Sequence, residues 1–410
     1  MSHSRISYRK RLSTAALVLW VAALTGAILS PAPAGAAPQY PTPLPDAFYR
    51  QPADIADKSP GDVLAVRPMP ALPAFPDVTV TLIKFRSTNS EGKPIAATTT
   101  LLTPSSHQSN GPLLSYQHII NGLGTQCAVS QELYTSDPNL VIREAPGLNV
   151  ALARGWSVVL PDHLGPTSAY GAAKLGGQIT LDSIRAVQRL PQSNTAESRV
   201  AMVGYSGGGM ATGWAAALHP SYAPELNIVG AAEGGVPMNL TQMAEGLGYQ
   251  PHPAFGLAFA AAIGLEREYP DRLPISEQLN AKGLALRNQI ANGCTNDILA
   301  GGAGLGVRQV ASSESLASDP RARGVLNENS LELFSGVPTM PIFEWHAPND
   351  ALIPVAAIEN TIRRYCAAGT KVDSAQIPSP DHLTTAVLGA PVALNYLDER
   401  FRGIPAPSTC

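Results

Sequence analysis

The feature that most constrains the fold of this chain is a serine enclosed by glycines between an apolar run and a stretch of small residues. Arg199–Val203 has the composition of a buried strand, Gly204–Gly208 reads Gly-Tyr-Ser-Gly-Gly, and Gly209–Leu218 is typical of a closely packed helix. A G-x-S-x-G turn in this setting strains the serine backbone, and the glycines remove collisions at its flanks. The sequence therefore predicts a nucleophile elbow with Ser206 exposed at a helix N-terminus, where developing negative charge is favoured.

Short apolar runs bounded by turn residues recur along the chain and alternate with helical stretches. The runs with strand character are Val78–Ile83, Ala96–Leu102, Pro112–Tyr116, Ser157–Pro161 and Thr339–Trp345. The stretches with helical character are Ile179–Gln188, Met210–Leu218 and Ala356–Tyr365. This alternation predicts an α/β-hydrolase fold, with a mostly parallel sheet covered by helices on both faces.

The segment 239–332 interrupts the alternation and predicts a helical cap, or lid, inserted into the sheet domain. It contains the apolar stretch Phe255–Leu265 and the helix-like stretch Ile275–Ile290. The core then comprises residues 76–238 and 333–410, and the proline-rich residues 37–75 are predicted to form an extended N-terminal arm. The glycine run 301–306 contains G-x-G but follows no strand, so no dinucleotide site and no cofactor are expected.

A serine nucleophile needs a base, and the base needs an acid to orient it. On this fold the chain order is Ser, then Asp or Glu, then His. Asp350 follows the strand that ends near Trp345 and is the predicted acid, with Asp373 and Asp381 as alternatives. His382 alone among the eight histidines follows Asp350, and it precedes the predicted last helix. It is therefore the predicted base.

An oxyanion formed on the substrate requires two backbone N–H donors. The residue after the nucleophile, Gly207, is expected to supply one. The second is expected from the loop that follows the strand ending at Ser115-Tyr116, near Gln117 or His118. We take His118 as the candidate.

The N-terminus and the overall charge limit the location and partners of the chain. Residues 1–36 combine a basic segment, an uncharged apolar run from Thr14 to Leu29 and Ala34-Gly35-Ala36, which predicts a secretory signal cleaved near Ala36. No stable membrane anchor is expected after cleavage. The net charge is -3, and no basic stripe follows the first dozen residues, so nucleic-acid partners are not expected.

Four cysteines in an exported chain predict two disulfides, although three pairings are possible. Cys366 and Cys410 both lie in the C-terminal segment, and pairing them leaves Cys127 with Cys294. The spacings match no zinc pattern, so no metal site is expected.

Several separated segments resemble the secretory lipase family, the lipase-A type of α/β-hydrolase found in fungi and actinobacteria. They are Ser115-Tyr116-Gln117 with Cys127 downstream, Pro161–Pro166, Val200–Gly235, Asp350 with Pro354, and His382–Phe401. The resemblance places Ser206, Asp350 and His382 on the triad positions of that family and implies a helical lid over the acyl pocket. His118 stands where members of the family often carry an acidic residue, so the resemblance implies no side-chain role there.

The leading functional hypothesis is a secreted serine hydrolase that cleaves carboxylic esters of lipids, a triacylglycerol lipase with an acyl-enzyme on Ser206. A short-chain carboxylesterase and an acyltransferase use the same triad and are the alternatives within enzymes. A secreted binding protein without chemistry is the alternative from another class. The expected partner is a lipid ester at a lipid-water interface.

Overall fold

The computed structural model describes residues 37–139, 143–312 and 319–410, and the predicted signal segment 1–36 lies outside this part of the chain. The strands of the described part form one nine-stranded sheet. In chain order they are β1 Val63–Met69, β2 Val78–Thr88, β3 Pro94–Pro104, β4 Leu113–Gln117, β5 Ser157–Pro161, β6 Val200–Tyr205, β7 Ile228–Gly234, β8 Ile342–His346 and β9 Val372–Gln376.

The strand order in the sheet is β1-β2-β3-β5-β4-β6-β7-β8-β9. The pairs from β1 to β5 along this order are antiparallel, and all pairs from β5 to β9 are parallel. The central strands β5 and β6 are buried along their whole length because both of their faces are covered. The prediction of a mostly parallel sheet from short apolar runs is confirmed.

Helices connect the parallel strands and fill the segment between β7 and β8. In chain order they are α1 Val129–Glu132, α2 Ala145–Ala153, α3 Ala173–Gln188, α4 Gly207–Tyr222, α5 Leu240–Gly248, α6 Phe255–Glu268, α7 Ile275–Gln278, α8 Ala281–Ile290, α9 Thr295–Gly302, α10 Val307–Val310, α11 Pro320–Glu328, α12 Val355–Ala367 and α13 His382–Phe401. The predicted single helix over 275–290 is two helices, because Asn280 is extended and its side chain accepts a hydrogen bond from Gly283 N as the N-cap of α8.

Two hydrophobic clusters cover the two faces of the sheet. One contains side chains of α3 and α4, including Ile179 and Trp214. The other contains side chains of α2 and α13, including Leu148 and Leu394. Helices therefore pack on both faces, as the alternating sequence predicts.

The segment 37–75, predicted to be an extended arm, contains an edge strand of the sheet. Val63–Met69 forms β1, which pairs antiparallel with β2 at the edge of the sheet. Its side chains are mostly half-buried, so its sequence lacks the apolar alternation of an internal strand. Pro68 within it is compatible with an edge strand, where a backbone donor can be absent.

The segment between β7 and β8 contains the helices α5 to α11 and no strand in its described residues. It belongs to the same compact unit as the sheet. The exact limits of the cap, 239–332, stay a prediction. A disulfide joins Cys294, next to α9, to Cys127 in the loop after β4, and a second joins Cys366 of α12 to Cys410. Among the described residues, no helix has both the length and the apolar character required to cross a bilayer.

Candidate active site

Ser206 forms the turn between β6 and α4 and has the backbone angles φ 54° and ψ −120°. A positive φ is uncommon for a residue with a side chain, and it persists only where neighbouring contacts hold it. Here the Ser206 N–H donates to the Gly234 carbonyl at 2.8 Å, and the Ser206 carbonyl accepts from Met210 N at 2.8 Å. The strand and the helix thus fix the serine from both sides.

The glycines on either side of Ser206 are required by close backbone contacts. A Cβ atom on Gly204 would lie 2.3 Å from the Gly208 carbonyl oxygen, and one on Gly208 would lie 2.1 Å from the Gln117 carbonyl oxygen. Both distances are too short for any real carbon atom. The elbow therefore depends on glycine at both positions, which agrees with the reason given for the motif.

His382 and Asp350 are joined directly. Nδ1 of His382 lies 2.6 Å from Oδ2 of Asp350, and both side chains are buried. Oδ1 of Asp350 accepts from Leu352 N at 2.9 Å and from Ile353 N at 3.1 Å. Burial raises the pKa of Asp350, but these hydrogen bonds and the charge of His382 outweigh it, so the pKa lies below its usual value. The carboxylate is thus ionised near neutral pH.

The alternative acids occupy other positions. The Asp381 carboxylate accepts hydrogen bonds from Leu383 N and Thr384 N at 2.9 Å each, as the N-cap of α13. Asp373 lies within β9, in register with Phe343. The structure therefore brings Asp350, and neither of these two residues, onto the His382 ring.

The other histidines of the described part of the chain have their own contacts. They are His107 with the Gly155 carbonyl, His118 with the His163 ring, His163 with the His118 carbonyl, His219 with the Leu226 carbonyl, His252 with Ala254 N and His346 with Glu344. His382 Nε2 is buried and has no hydrogen-bond partner in residues 37–139, 143–312 and 319–410. This nitrogen is thus available to a substrate or to the nucleophile.

Two residues that the sequence reasoning missed shape the site around His382. The Tyr205 hydroxyl donates to the His382 carbonyl at 2.6 Å, and the two rings lie 4.9 Å apart between centroids. Gly235 has φ 51°, and a Cβ there would lie 2.9 Å from His382 Cε1. Tyr205 stands at the variable position of the motif, and Gly235 follows β7, so neither carried a recognisable signal.

Ser206 and His382 line the same cavity, which has a volume of about 370 Å³. Its remaining wall is mainly apolar and comes largely from the helices between β7 and β8. The apolar residues lining it include Leu240, Met243, Phe255, Phe259, Leu273 and Ile275. The cavity can therefore accept an apolar chain whose reacting carbon lies at Ser206.

The two candidate oxyanion donors lie on neighbouring segments. Gly207 is the first residue of α4, so its N–H has no partner within the helix. Ile120 packs against it, since a Cβ on Gly207 would lie 2.2 Å from Ile120 Cγ1. The His118 side chain lines a second cavity of about 140 Å³, away from Ser206. Any role of His118 in the oxyanion site therefore falls to its backbone, and the residue stays a prediction.

The described residues contain no group of three or more His, Cys, Asp or Glu side chains placed to hold a metal ion. The chemistry that the site supports is nucleophilic. A serine hydroxyl, an imidazole with one free ring nitrogen and an ionised carboxylate are the components that acyl transfer requires.

The chain is similar in sequence and in fold to known lipases. The family model described as secretory lipase matches residues 140–409. Lipase A of Moesziomyces aphidis is 30% identical, with 98% of this chain and 90% of that protein covered, and a secreted triacylglycerol lipase of Malassezia globosa is 30% identical, with 89% and 81% covered. The crystal structure of Candida antarctica lipase A in its closed state has a TM-score of 0.83 at 30% identity and covers 91% of each chain.

Proposed function

Because this chain belongs to the secretory lipase family, we propose that it hydrolyses carboxylic esters of lipids, with triacylglycerols as the substrate class, through an acyl-enzyme on Ser206. The observation that carries the proposal is the shared position of Ser206 and His382 on the wall of one apolar cavity, with Asp350 bound to the far nitrogen of the His382 ring. A related secreted triacylglycerol lipase of Malassezia globosa supports the substrate class.

In the first half of the reaction, the Ser206 oxygen attacks the ester carbonyl and His382 Nε2 accepts the hydroxyl proton. The bond to the leaving alcohol then breaks, and His382 returns the proton to that alcohol. In the second half, water attacks the acyl-enzyme, His382 again accepts a proton, and the fatty acid leaves as Ser206 regains its hydrogen. Asp350 keeps Nδ1 protonated throughout, so Nε2 is the nitrogen that exchanges protons.

The cavity favours a lipase over a short-chain carboxylesterase. Hydrolysis of acetyl esters requires little apolar space, whereas the helices around Ser206 enclose about 370 Å³ of mainly apolar volume. An acyltransferase differs only in the alcohol that replaces water, so the same triad would serve it. We propose hydrolysis of lipid esters as the main activity.

Ala262→Phe is expected to shorten the preferred acyl chain. Ala262 is half-buried on α6 and lines the cavity, so a larger ring there removes volume from the acyl site. We expect the kcat/KM for p-nitrophenyl palmitate to fall about tenfold or more, while that for the acetate ester changes little. The wild-type chain should prefer the longer esters of a series from acetate to palmitate.

Ala262→Val is the matched control and should give an intermediate profile. Equal losses for acetate and palmitate would show that the cavity does not hold the acyl chain. A wild-type preference for acetate would favour the carboxylesterase.

An exposed apolar stripe on α13 supports action at a lipid-water interface. Its members, the α13 stripe, are Leu383, Val387, Leu388 and Val392, which are 50%, 61%, 49% and 48% exposed. From His382 to Leu397 the helix contains no Lys, Arg, Asp or Glu. Leu383 also lines the cavity that contains Ser206. The stripe therefore begins at the substrate site and continues along the surface without a charge.

The double substitution Val387→Ser with Val392→Ser should weaken binding to a triolein emulsion about tenfold, because two apolar side chains lose their transfer from water. Hydrolysis of dissolved p-nitrophenyl butyrate should be unchanged. Leu333→Ser is the control, since Leu333 is 54% exposed but lies outside the stripe. If emulsion binding were unchanged and sedimentation showed that the substitutions dissociate a dimer, the stripe would be a surface for self-association.

The chain is extracellular, as its family and its two disulfides indicate. We propose that the signal segment is removed near Ala36. The N-terminal mass of the exported protein tests the position of this cleavage.

A further inference from the structure

We propose that Glu144 and His163 are positioning residues that hold the oxyanion loop by binding the two ends of one peptide unit. We define the oxyanion loop as residues 117–120. The inference rests on the proposed function, and it concerns two buried residues to which the triad mechanism gives no role.

The two hydrogen bonds converge on the peptide between His118 and Ile119. His163 Nε2 donates to the His118 carbonyl oxygen at 2.9 Å. Ile119 N donates to Glu144 Oε1 at 3.2 Å. This carbonyl and this N–H belong to the same planar peptide unit, so the two side chains form hydrogen bonds with its opposite ends. Neither a rotation nor a flip of the unit is possible without breaking both bonds.

The side chains of Glu144 and His163 are themselves held in place. The Glu144 side chain is buried, and its backbone forms the N-cap of α2. His163 is buried with its ring 4.5 Å from that of His118. Burial lowers the pKa of His163 to about 4, so the ring is neutral at neutral pH. Because a carbonyl can only accept, its single proton must lie on Nε2.

The preceding peptide unit carries the His118 N–H. It lies between the His118–Ile119 peptide and Gln117, whose backbone and side chain are also held in place. Gln117 ends β4 in register with Gly204, and its Oε1 accepts from Thr212 Oγ1 of α4 at 2.8 Å. A Cβ on Gly208 would meet the carbonyl oxygens of Gln117 and His118 at 2.1 and 2.6 Å. The loop therefore lies directly against the first turn of α4.

An oxyanion donor is effective only if its direction is set before the reaction. Loss of one donor typically lowers the rate about 100- to 1000-fold. Loss of the residue that orients it leaves the donor in place but loosens its direction, so a smaller effect is expected. The effect should fall on kcat and on the binding of tetrahedral adducts, and little on ground-state binding.

The test uses Glu144→Ala and His163→Ala, each compared with a variant that keeps the hydrogen bond. Glu144→Gln retains an oxygen that accepts from Ile119 N, and His163→Gln retains a side-chain N–H donor. We expect the alanine variants to lower kcat for p-nitrophenyl butyrate about 10- to 100-fold with KM within about twofold. The glutamine variants should recover most of the loss. The inhibition constant of butaneboronic acid, which adds to Ser206 as a tetrahedral adduct, should rise in parallel with the loss in kcat.

Titration of active sites with a fluorophosphonate corrects each rate for the fraction of folded enzyme. Equal kcat losses in Glu144→Ala and Glu144→Gln would overturn the proposal, as would losses that vanish after this correction. A boronic acid inhibition constant that stays at the wild-type value would overturn it too. Failure of the proposed acyl-enzyme chemistry on Ser206 has a different signature, since the wild-type chain would then show no hydrolysis of p-nitrophenyl butyrate at all.

Discussion

Ser206→Ala is expected to abolish ester hydrolysis, with a loss in kcat of about 10⁶-fold, because no other group can form the acyl-enzyme. The substitution removes one oxygen and retains the strained backbone, whose φ of 54° is fixed by hydrogen bonds of the main chain. The melting temperature should therefore remain close to that of the wild type. The measurement is the release of p-nitrophenol from the butyrate ester, together with a thermal scan.

Ser221→Ala is the matched control, since Ser221 lies at the other end of the same helix and its hydroxyl donates to Leu218 O. It should retain full activity. Hydrolysis surviving in Ser206→Ala would mean that the elbow serine is not the nucleophile, and the proposed function would then be wrong.

Asp350→Asn is expected to lower kcat about 10⁴-fold with little change in the fold. The amide can present an N–H to His382 Nδ1, which favours the tautomer protonated on Nε2. That tautomer cannot accept the proton of Ser206. Because the pKa of Asp350 lies below its usual value, the wild-type carboxylate should stay ionised through neutral pH. It should become protonated, and activity should fall, only as the pH falls through that lowered pKa.

Two controls separate Asp350 from the other candidate acids. Asn is as good an N-cap as Asp, so Asp381→Asn should keep the start of α13 and nearly full activity. Asp373→Asn alters a strand residue away from His382 and should have a similarly small effect. If either control lost most of its kcat while Asp350→Asn retained activity, the residue substituted in that control would be the acid.

Most strands in the central part of the fold were predictable from sequence because they are buried on both faces. Runs such as Ser157–Pro161 are short, apolar and bounded by turns, which is the pattern of strands buried on both faces. The edges were not predictable in this way. β1 is half-buried and contains a proline, and β9 reads Val-Asp-Ser-Ala-Gln, so neither carries a continuous apolar signal.

The residues of the site also differ in how well the sequence predicts them. Ser206 is predicted by a local motif. The expected chain order of serine, acid and histidine then reduces the number of candidate acids and bases and favours Asp350 and His382. The roles proposed for Glu144 and His163 depend on contacts between segments far apart in sequence, and no spacing rule brings them to the His118–Ile119 peptide. Local patterns predict groups that act chemically, whereas groups that support them emerge only when the chain is folded.

The two disulfides have a topological consequence for the proposed triad. They join cysteines separated by 167 and 44 residues and so divide the chain into two covalent rings. Ser206 lies in the larger ring and His382 in the smaller, while Asp350 lies on the linear piece that connects them. A single cut by a protease within either ring leaves every fragment covalently attached. A cut between Cys294 and Cys366 separates Ser206 from His382, so that piece is the only part of the chain where one broken peptide bond can part the proposed nucleophile from the proposed base.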